Sequence, residues 1–488
     1  MNFKMIRYTL GIILLFLSGF FAIPAVTAAV YAEWPSLLAF LGTAALTVAL
    51  GVLMTYRRPK NTKLYARDGL VIVSLSWIVI SLFGSLPFIF SGSITSFVDA
   101  LFETVSGFTT TGASILPAVE DMPRSINLWR CFTHWVGGMG VLVFVMAILP
   151  LSGAENMYIM KAESPGPEVS KLVPRVKKTA IILYAIYIAL TVVNVLLLLP
   201  EMPLYDAACT VFGTAGTGGF GIYNDSIAGF SPYVQIVVTV FMLIFSVNFN
   251  SYYLVLRARF KEAFTSEVIT FICIVAAAIV IVTLNLYFGG IFTALGEALR
   301  HAAFTVSSLI STTGFAISNF NDWPTLSKTV LVSVMFIGAC AGSTGGGFKV
   351  SRIVILFKGM TRELGAILRP RQIKKITVDR RPVDHEVVRS VNAYLVTYVL
   401  IFVFSVFLIS FDNYDAGGYN EMVTNFTAVS AAFNNIGPGL EAVGPTQNFA
   451  FFSPFSKLVL IFDMLAGRLE LFPMLLLFSP TTWKRSKI

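Results

Sequence analysis

A short apolar segment ending in a small-residue, glycine-containing turn recurs four times along this chain. Aligned on one glycine, the copies are DALFETVSGFTTTGAS (99–114), DAACTVFGTAGTGGFG (206–221), HAAFTVSSLISTTGFA (301–316) and TNFTAVSAAFNNIGPG (424–439), each starting the same distance before Gly112, Gly219, Gly314 or Gly437. A small residue stands at the same place upstream in every copy: Ser106, Gly213, Ser308 and Ala431. Each apolar piece is shorter than the roughly 20 residues that cross a bilayer, so each reads as a re-entrant helix and loop. Irregular backbone at membrane depth is tolerated only where it is buried in protein or lines a watery cavity. Four such loops around one axis can point carbonyl oxygens inward and replace the hydration shell of a cation. The carbonyls expected to do so are those of Thr110, Thr111 and Gly112; Thr217, Gly218 and Gly219; Thr312, Thr313 and Gly314; and Asn435, Ile436 and Gly437. Small-residue turns also pack transmembrane helices closely, but four copies at matched spacing are more than packing alone requires.

The rest of the chain agrees with a membrane setting. It is 488 residues long, 56% hydrophobic and 12% charged, with a mean hydropathy of +0.78; soluble domains carry roughly 25% charged residues. The expected architecture is an all-α polytopic membrane protein with ten crossings. Two N-terminal helices (8–30 and 36–56, within 1–68) precede four repeats of outer helix, pore helix and inner helix in pseudo-four-fold array around one pore. The repeats occupy 69–150, 151–258, 259–386 and 387–488. Their outer helices are placed at 69–90, 178–200, 266–288 and 388–410, and their pore helices at 97–109, 203–215, 297–311 and 420–434. The inner segments are placed at 127–150, 232–256, 326–357 and 454–479. The first span is read as a retained helix, although PAVTAA (24–29) has the small residues of a signal-peptide cleavage site.

Charge placement orients these spans. Of the 35 Lys and Arg, all but Arg124, Arg130, Arg300, Lys328, Lys457 and Arg468 fall in the N-terminus, 57–67, 151–178, 257–261, 349–389 and the C-terminus. Such asymmetry puts those segments and both termini in the cytoplasm and the four pore loops outside. Cys131, Cys209, Cys273 and Cys340 lack any CxxC spacing, and His134, His301 and His385 are far apart in sequence. Neither a disulfide framework nor a zinc site is indicated.

The residues now carry a family resemblance. The filter-like turns TTTGAS, GTGGFG, STTGFA and NIGPG, the glycine-rich GACAGSTGGGFK (338–349) and DMLAGRLELFP (463–473) resemble those of the Trk/Ktr/HKT superfamily of potassium transporters. With its two extra N-terminal helices the chain is most similar to the bacterial TrkH-type membrane subunit, over essentially its whole length. The resemblance implies potassium as the transported ion, with K+ held by the filter carbonyls. It also implies residence in the bacterial inner membrane, a homodimer with one pore per protomer, and a cytosolic TrkA-like nucleotide-binding ring as regulator. In that superfamily serine at the first filter glycine accompanies sodium permeation, so Gly112 implies potassium. The fourth repeat departs most, through Pro438.

Two inner-segment features have a physical reading of their own. Arg468 lies in an otherwise apolar helix, where a charge costs about 2.5–3.5 kcal/mol on insertion scales. It is expected either to pair with Asp463 or Glu470, or to stand below the filter as a barrier to cations. Counted from its own filter glycine, Gly345 lies at the same depth as Arg468. A helix cannot easily run through Gly342–Gly347, because each glycine costs roughly 1 kcal/mol against alanine. Gly342, Gly345, Gly346 and Gly347 are therefore expected to form, with Arg468, a gate beneath the filter; a packed glycine seam is the plainer reading. Glu103 and Asp99, near the outer mouth, either attract cations or pair with Arg124, Arg130 or Arg300.

Other functions fit less well. GSTGGGFK (342–349) lacks the Gly-Lys-Ser/Thr of a phosphate loop, and GTAGTGGFG (213–221) lacks the spacing of a dinucleotide fingerprint. An enzyme would need a convergent nucleophile–base or metal set, and the chain offers no such motif. A secondary transporter for another solute would show inverted repeats, whereas these share one orientation. Coupling of potassium to H+ or Na+ remains an alternative to passive flow. No cofactor and no nucleic-acid partner is expected. The basic 349–389 reads as a topology signal that touches anionic lipid, or as the docking surface for the cytosolic ring.

Overall fold

The computed structural model describes residues 1–61, 64–140, 176–369, 375–379, 381–412, 414 and 417–483. It is helical throughout, apart from a two-stranded antiparallel ladder of Thr377–Val378 with Arg381–Pro382. Six stretches among the described residues are long and apolar enough to cross a membrane: Phe3–Val30, Trp34–Thr55, Arg67–Phe90, Ala180–Leu198, Ser266–Phe288 and His385–Ile409. They are the two N-terminal spans and the four outer helices. The first divides into α1 (Phe3–Phe20) and α2 (Ala22–Val30), and α3 is Trp34–Thr55. The outer helices are α4 (Ala66–Gly84) with the short α5 (Leu86–Phe90), α8 (Val176–Leu198), α12 (Ser266–Phe288) and α16 (His385–Ile409).

The pore helices are α6 (Phe97–Phe108), α9 (Leu204–Gly216), α13 (Leu295–Ile310) and α17 (Glu421–Phe433). Each has an acid in its first turn, Asp99, Asp206, Glu297 or Glu421, where a carboxylate favours the positive end of the helix dipole. Ser96 and Asn420 cap α6 and α17 through their side chains.

The inner helices begin at proline. Pro123 and Pro324 precede α7 (Arg124–Gly138) and α14 (Thr325–Ile337), and Pro232 and Pro454 open α10 (Pro232–Ser246) and α18 (Pro454–Arg468). Proline suits that place because the first helical N–H groups have no intrahelical acceptor. Continuous inner helices were expected in three repeats, and the structure differs. The second bends by 92° between α10 and α11 (Phe249–Leu256). The fourth stops at Arg468, and α19 (Phe472–Phe478) resumes after Glu470 and Leu471 in the left-handed region. In the first, α7 ends at Gly138, and residues 141–150 of the expected 127–150 lie outside the described residues. The third breaks as expected: α14 ends at Ile337, residues 338–349 are non-helical, and α15 (Val350–Leu368) continues. The interrupted helices of the second, third and fourth repeats leave backbone groups without helical partners, and those groups need partners inside the protein.

The largest core packs the N-terminal helices onto the first and fourth repeats. Trp129 on α7 is its centre, 4.7 Å from the Phe21 ring, with its indole N–H donating to the Gly84 carbonyl at 3.0 Å.

Candidate functional site

Every pore helix ends in the same two hydrogen bonds. The N–H just before the filter glycine (Thr111, Gly218, Thr313 or Ile436) donates at 2.8–2.9 Å to the carbonyl of the small residue upstream, Ser106, Gly213, Ser308 or Ala431. The N–H one residue earlier (Thr110, Thr217, Thr312 or Asn435) donates at 3.1–3.2 Å to Gly107, Thr214, Leu309 or Ala432. These bonds turn the chain through a left-handed residue. Thr110, Thr217, Thr312 and Asn435 have φ of 56°, 55°, 60° and 56°. The glycines that follow have φ of 82°, 77°, 84° and 97°, which a residue with a side chain rarely adopts. Four non-glycine residues held in this strained region, one per repeat, mark a shape the surroundings impose.

The turns close into a ring. A methyl group added at Gly112 would overlap the carbonyl oxygen of Gly218; one at Gly219, that of Thr313; and one at Gly314, that of Ile436. At Gly437 it would stand 2.8 Å from the oxygen of Thr111. The contacts run from the first repeat to the second, third and fourth and back to the first, always from a filter glycine to the carbonyl preceding its neighbour's glycine. All four glycines line one outer vestibule of about 120 Å³, with Tyr223, Asn224 and Asn448 on its wall. Among the described residues, the buried Thr110 Oγ1 and Asn435 Oδ1 have no hydrogen-bond partner.

Side chains from behind hold the ring. His134 on α7 takes the Phe220 N–H on Nε2 at 3.1 Å, and its Nδ1 lies 2.7 Å from the Gly107 carbonyl. Glu103, weighed above as a cation attractor, is buried and pairs with Arg130 at 2.5 Å; its carboxylate also accepts from Ser114 Oγ and the Ile115 N–H, each at 3.0 Å. Arg130 donates onward to the Gly221 carbonyl at 2.9 Å and covers the Phe220 ring. Asp99 pairs with Lys457 at 2.6 Å. Both acids serve as internal counter-ions.

Beneath the ring lies the glycine-rich loop. The Gly346 N–H donates to Thr312 Oγ1 at 2.6 Å, and added methyl groups at Gly345 and Gly346 would meet the backbone of Ser311 and Asn434. The loop borrows partners from the other breaks: the Cys340 N–H donates to the Ser246 carbonyl at 3.1 Å, and the Phe249 N–H to that of Gly342 at 3.0 Å. Glu267 on α12 accepts from the N–H groups of Ala341 at 2.6 Å and Ser351 at 3.1 Å. Arg468 donates to the Thr344 carbonyl at 2.8 Å and, in the adjoining first repeat, to those of Gly137 and Gly138 at 2.6 and 2.9 Å. Of the two acids weighed as its partner, Asp463 accepts from Ser405 Oγ at 2.7 Å, and Glu470 pairs with Arg352. Thr312 Oγ1 and Glu267 were missed in the sequence, where each looks like an ordinary apolar-segment polar residue.

The chain as a whole matches a family of known proteins. The family model described as TrkH, cation transport protein, fits residues 37–485. The chain belongs to the TrkH family. Among curated TrkH-family relatives, "Trk system potassium uptake protein TrkH" of Salmonella typhimurium is 36% identical over 491 residues, covering 99% of this chain and 100% of the relative. "Trk system potassium uptake protein TrkG" of Escherichia coli is 32% identical, covering 95% of each. The crystal structure of the potassium transporter TrkH from Vibrio parahaemolyticus superposes with a TM-score of 0.88 at 32% identity, over 99% of this chain and 100% of that one. TrkH-family relatives are thus named as transporters and not as enzymes, and the chain is a multi-pass membrane protein of their fold.

Proposed function

We propose that this chain is the potassium-selective, ion-translocating subunit of a bacterial potassium uptake system. One observation carries the reading: the closed ring in which each filter glycine abuts the carbonyl of Gly218, Thr313, Ile436 or Thr111. Such a ring supplies oxygens without formal charge, which hold a monovalent cation firmly enough to dehydrate it and loosely enough to release it. The carbonyl ends of four pore helices face the same point and add the negative end of their dipoles. Any substituent on the glycines would displace the oxygens that replace water.

The gate of this reading is the loop through Gly342, Gly345, Gly346 and Gly347, with Arg468 beside it. A fixed guanidinium under the ring repels the next cation, and its three carbonyl bonds tie the loop to the first repeat. Opening requires the loop to leave Thr312 and Arg468. The segment that leaves the loop, α15, leads into the basic stretch ending at residue 389, a surface suited to a cytosolic TrkA-like nucleotide-binding ring. We place the protein in the bacterial inner membrane as a homodimer, on the family resemblance, with both termini cytoplasmic, on the charge asymmetry. The test is growth at low external potassium of a bacterium that lacks its own potassium uptake but retains the cytosolic ring. The chain is expected to restore growth. Failure to restore it, with folded protein present in the membrane, contradicts the proposal.

A further inference from the structure

Two cavities lie in line along the seam where α15 packs against α16, and the ring does not account for either. The first, of about 350 Å³, is walled by Phe336, Phe348, Leu356, Leu395, Val399 and Phe402 and is almost wholly apolar. Its size falls within the roughly 300–1,000 Å³ of small-molecule sites. It opens toward the bilayer beside Val396, Val403 and Phe357, which are 60%, 59% and 62% exposed. The second, smaller cavity is lined by Arg362 on α15, Lys375, and Asp384, His385 and Val388 at the start of α16. Since α15 and α16 run antiparallel, it continues the first: Leu356 to Arg362 is about 9 Å and Leu395 to Val388 about 10.5 Å at 1.5 Å per helical residue. An apolar slot leading to a basic pocket at a helix N-terminus has the chemistry of a phospholipid, with the acyl chain in the slot and the phosphate at the pocket.

We propose that a phospholipid seats along this seam, its acyl chain against Phe348 and Tyr398 and its phosphate at Arg362, Lys375 and His385, and that it regulates the gate. The two tail contacts reach the conducting machinery directly. Phe348 is within the last residues of the glycine-rich loop, adjoining Gly347, and its ring lies 5.5 Å from that of Tyr398. The Tyr398 hydroxyl donates at 2.8 Å to Asn434 Oδ1, and the Asn434 carbonyl is what Gly346 packs against. A chain in the slot therefore supports both the loop and the turn above it. Anionic headgroups are preferred because they can engage Lys375 and take Arg362 from Glu363, its ion-pair partner at the edge of the pocket.

The test uses the full-length protein in liposomes carrying a trace of phosphatidylglycerol with a mid-chain diazirine, followed by peptide mapping after irradiation. Labelling of the peptides spanning 353–356 and 395–402 is expected at least five-fold above that of α3, whose Leu38 and Leu53 are 69% and 70% exposed and report general lipid contact. Val399→Trp fills the slot and is expected to abolish the excess while the protein elutes as the parent does. Arg362→Ala with Lys375→Ala is expected to remove the preference for phosphatidylglycerol over a phosphatidylcholine probe. Seam labelling no higher than α3, labelling unchanged by Val399→Trp, or seam-to-seam cross-links between two copies in place of lipid adducts would each overturn the proposal. The regulatory half rests on the gate reading and has its own measurement: Val399→Trp should change basal ion flux at least three-fold. If the labelling holds and flux does not move, the lipid seat stands and its link to the gate falls.

Discussion

Gly437 has more room than its three counterparts. A methyl group there stands 2.8 Å from its neighbour's oxygen, whereas at Gly112, Gly219 or Gly314 it overlaps one. Ala at Gly112, Gly219 or Gly314, and Ser at Gly112 or Gly314, should cut potassium preference over sodium by about tenfold or more, the equivalent of about 1.4 kcal/mol. Gly437→Ala should lose less, although its φ of 97° still carries strain; relative permeabilities measured side by side rank the four. Glu103 and Arg130 form a buried pair with side chains 0% and 4% exposed, so Glu103→Ala should cost about 3–5 kcal/mol through the stranded guanidinium, read as a lowered melting temperature in detergent. The filter glycines were legible in the sequence because positive φ and close approach each demand glycine. The residues that hold the ring and the loop were not: Thr312 meets the loop 34 residues away and Glu267 74, and His134 meets Phe220 of the second turn 86 away. No local pattern marks partners that only the assembled fold brings together.

The interrupted inner helices show the same division one scale up. The break at 338–349 was legible because glycine runs do not sustain a helix. The 92° bend after Ser246 was not, since Val247 and Asn248 include neither glycine nor proline. Its cause is tertiary: the freed Ser246 carbonyl and Phe249 N–H pair with the glycine-rich loop, and no water at that depth would otherwise satisfy them. The loop and the bend therefore stand or fall together. Arg468→Ala removes three charge-assisted bonds of about 1.5–3 kcal/mol each in gross terms along with the fixed charge, and should raise potassium flux roughly tenfold or more. Deleting Gly342–Gly347 should leave the pore constitutively open, checked as flux insensitive to any regulator. A folded deletion protein that conducts no more than the parent would remove the loop from its role.

At the scale of the whole molecule, four weakly similar segments build one ring because each supplies a pore helix with the same terminal hydrogen bonds. The sequence similarity fades in the fourth repeat, where Asn435 replaces threonine, Ile436 replaces threonine or glycine, and Pro438 replaces alanine or phenylalanine. The geometry does not fade, since Asn435 has the φ of its three counterparts and donates to Thr111 Oγ1 and the Met464 carbonyl at 3.0 and 2.9 Å. The repeat pattern was readable from the recurring glycine turns, and the outer helices from hydropathy. The closure of the ring was not, because no sequence feature states which carbonyl faces which glycine. The most direct measurement is alkali-cation flux through liposomes holding the purified full-length chain, with Arg468→Ala to relieve the barrier and K+, Rb+, Na+ and Li+ compared. The four-carbonyl ring predicts K+ and Rb+ flux well above that of Na+ and Li+, and loss of that order in Gly314→Ser. Equal flux of all four cations through folded protein, or an order unchanged by Gly314→Ser, would contradict it.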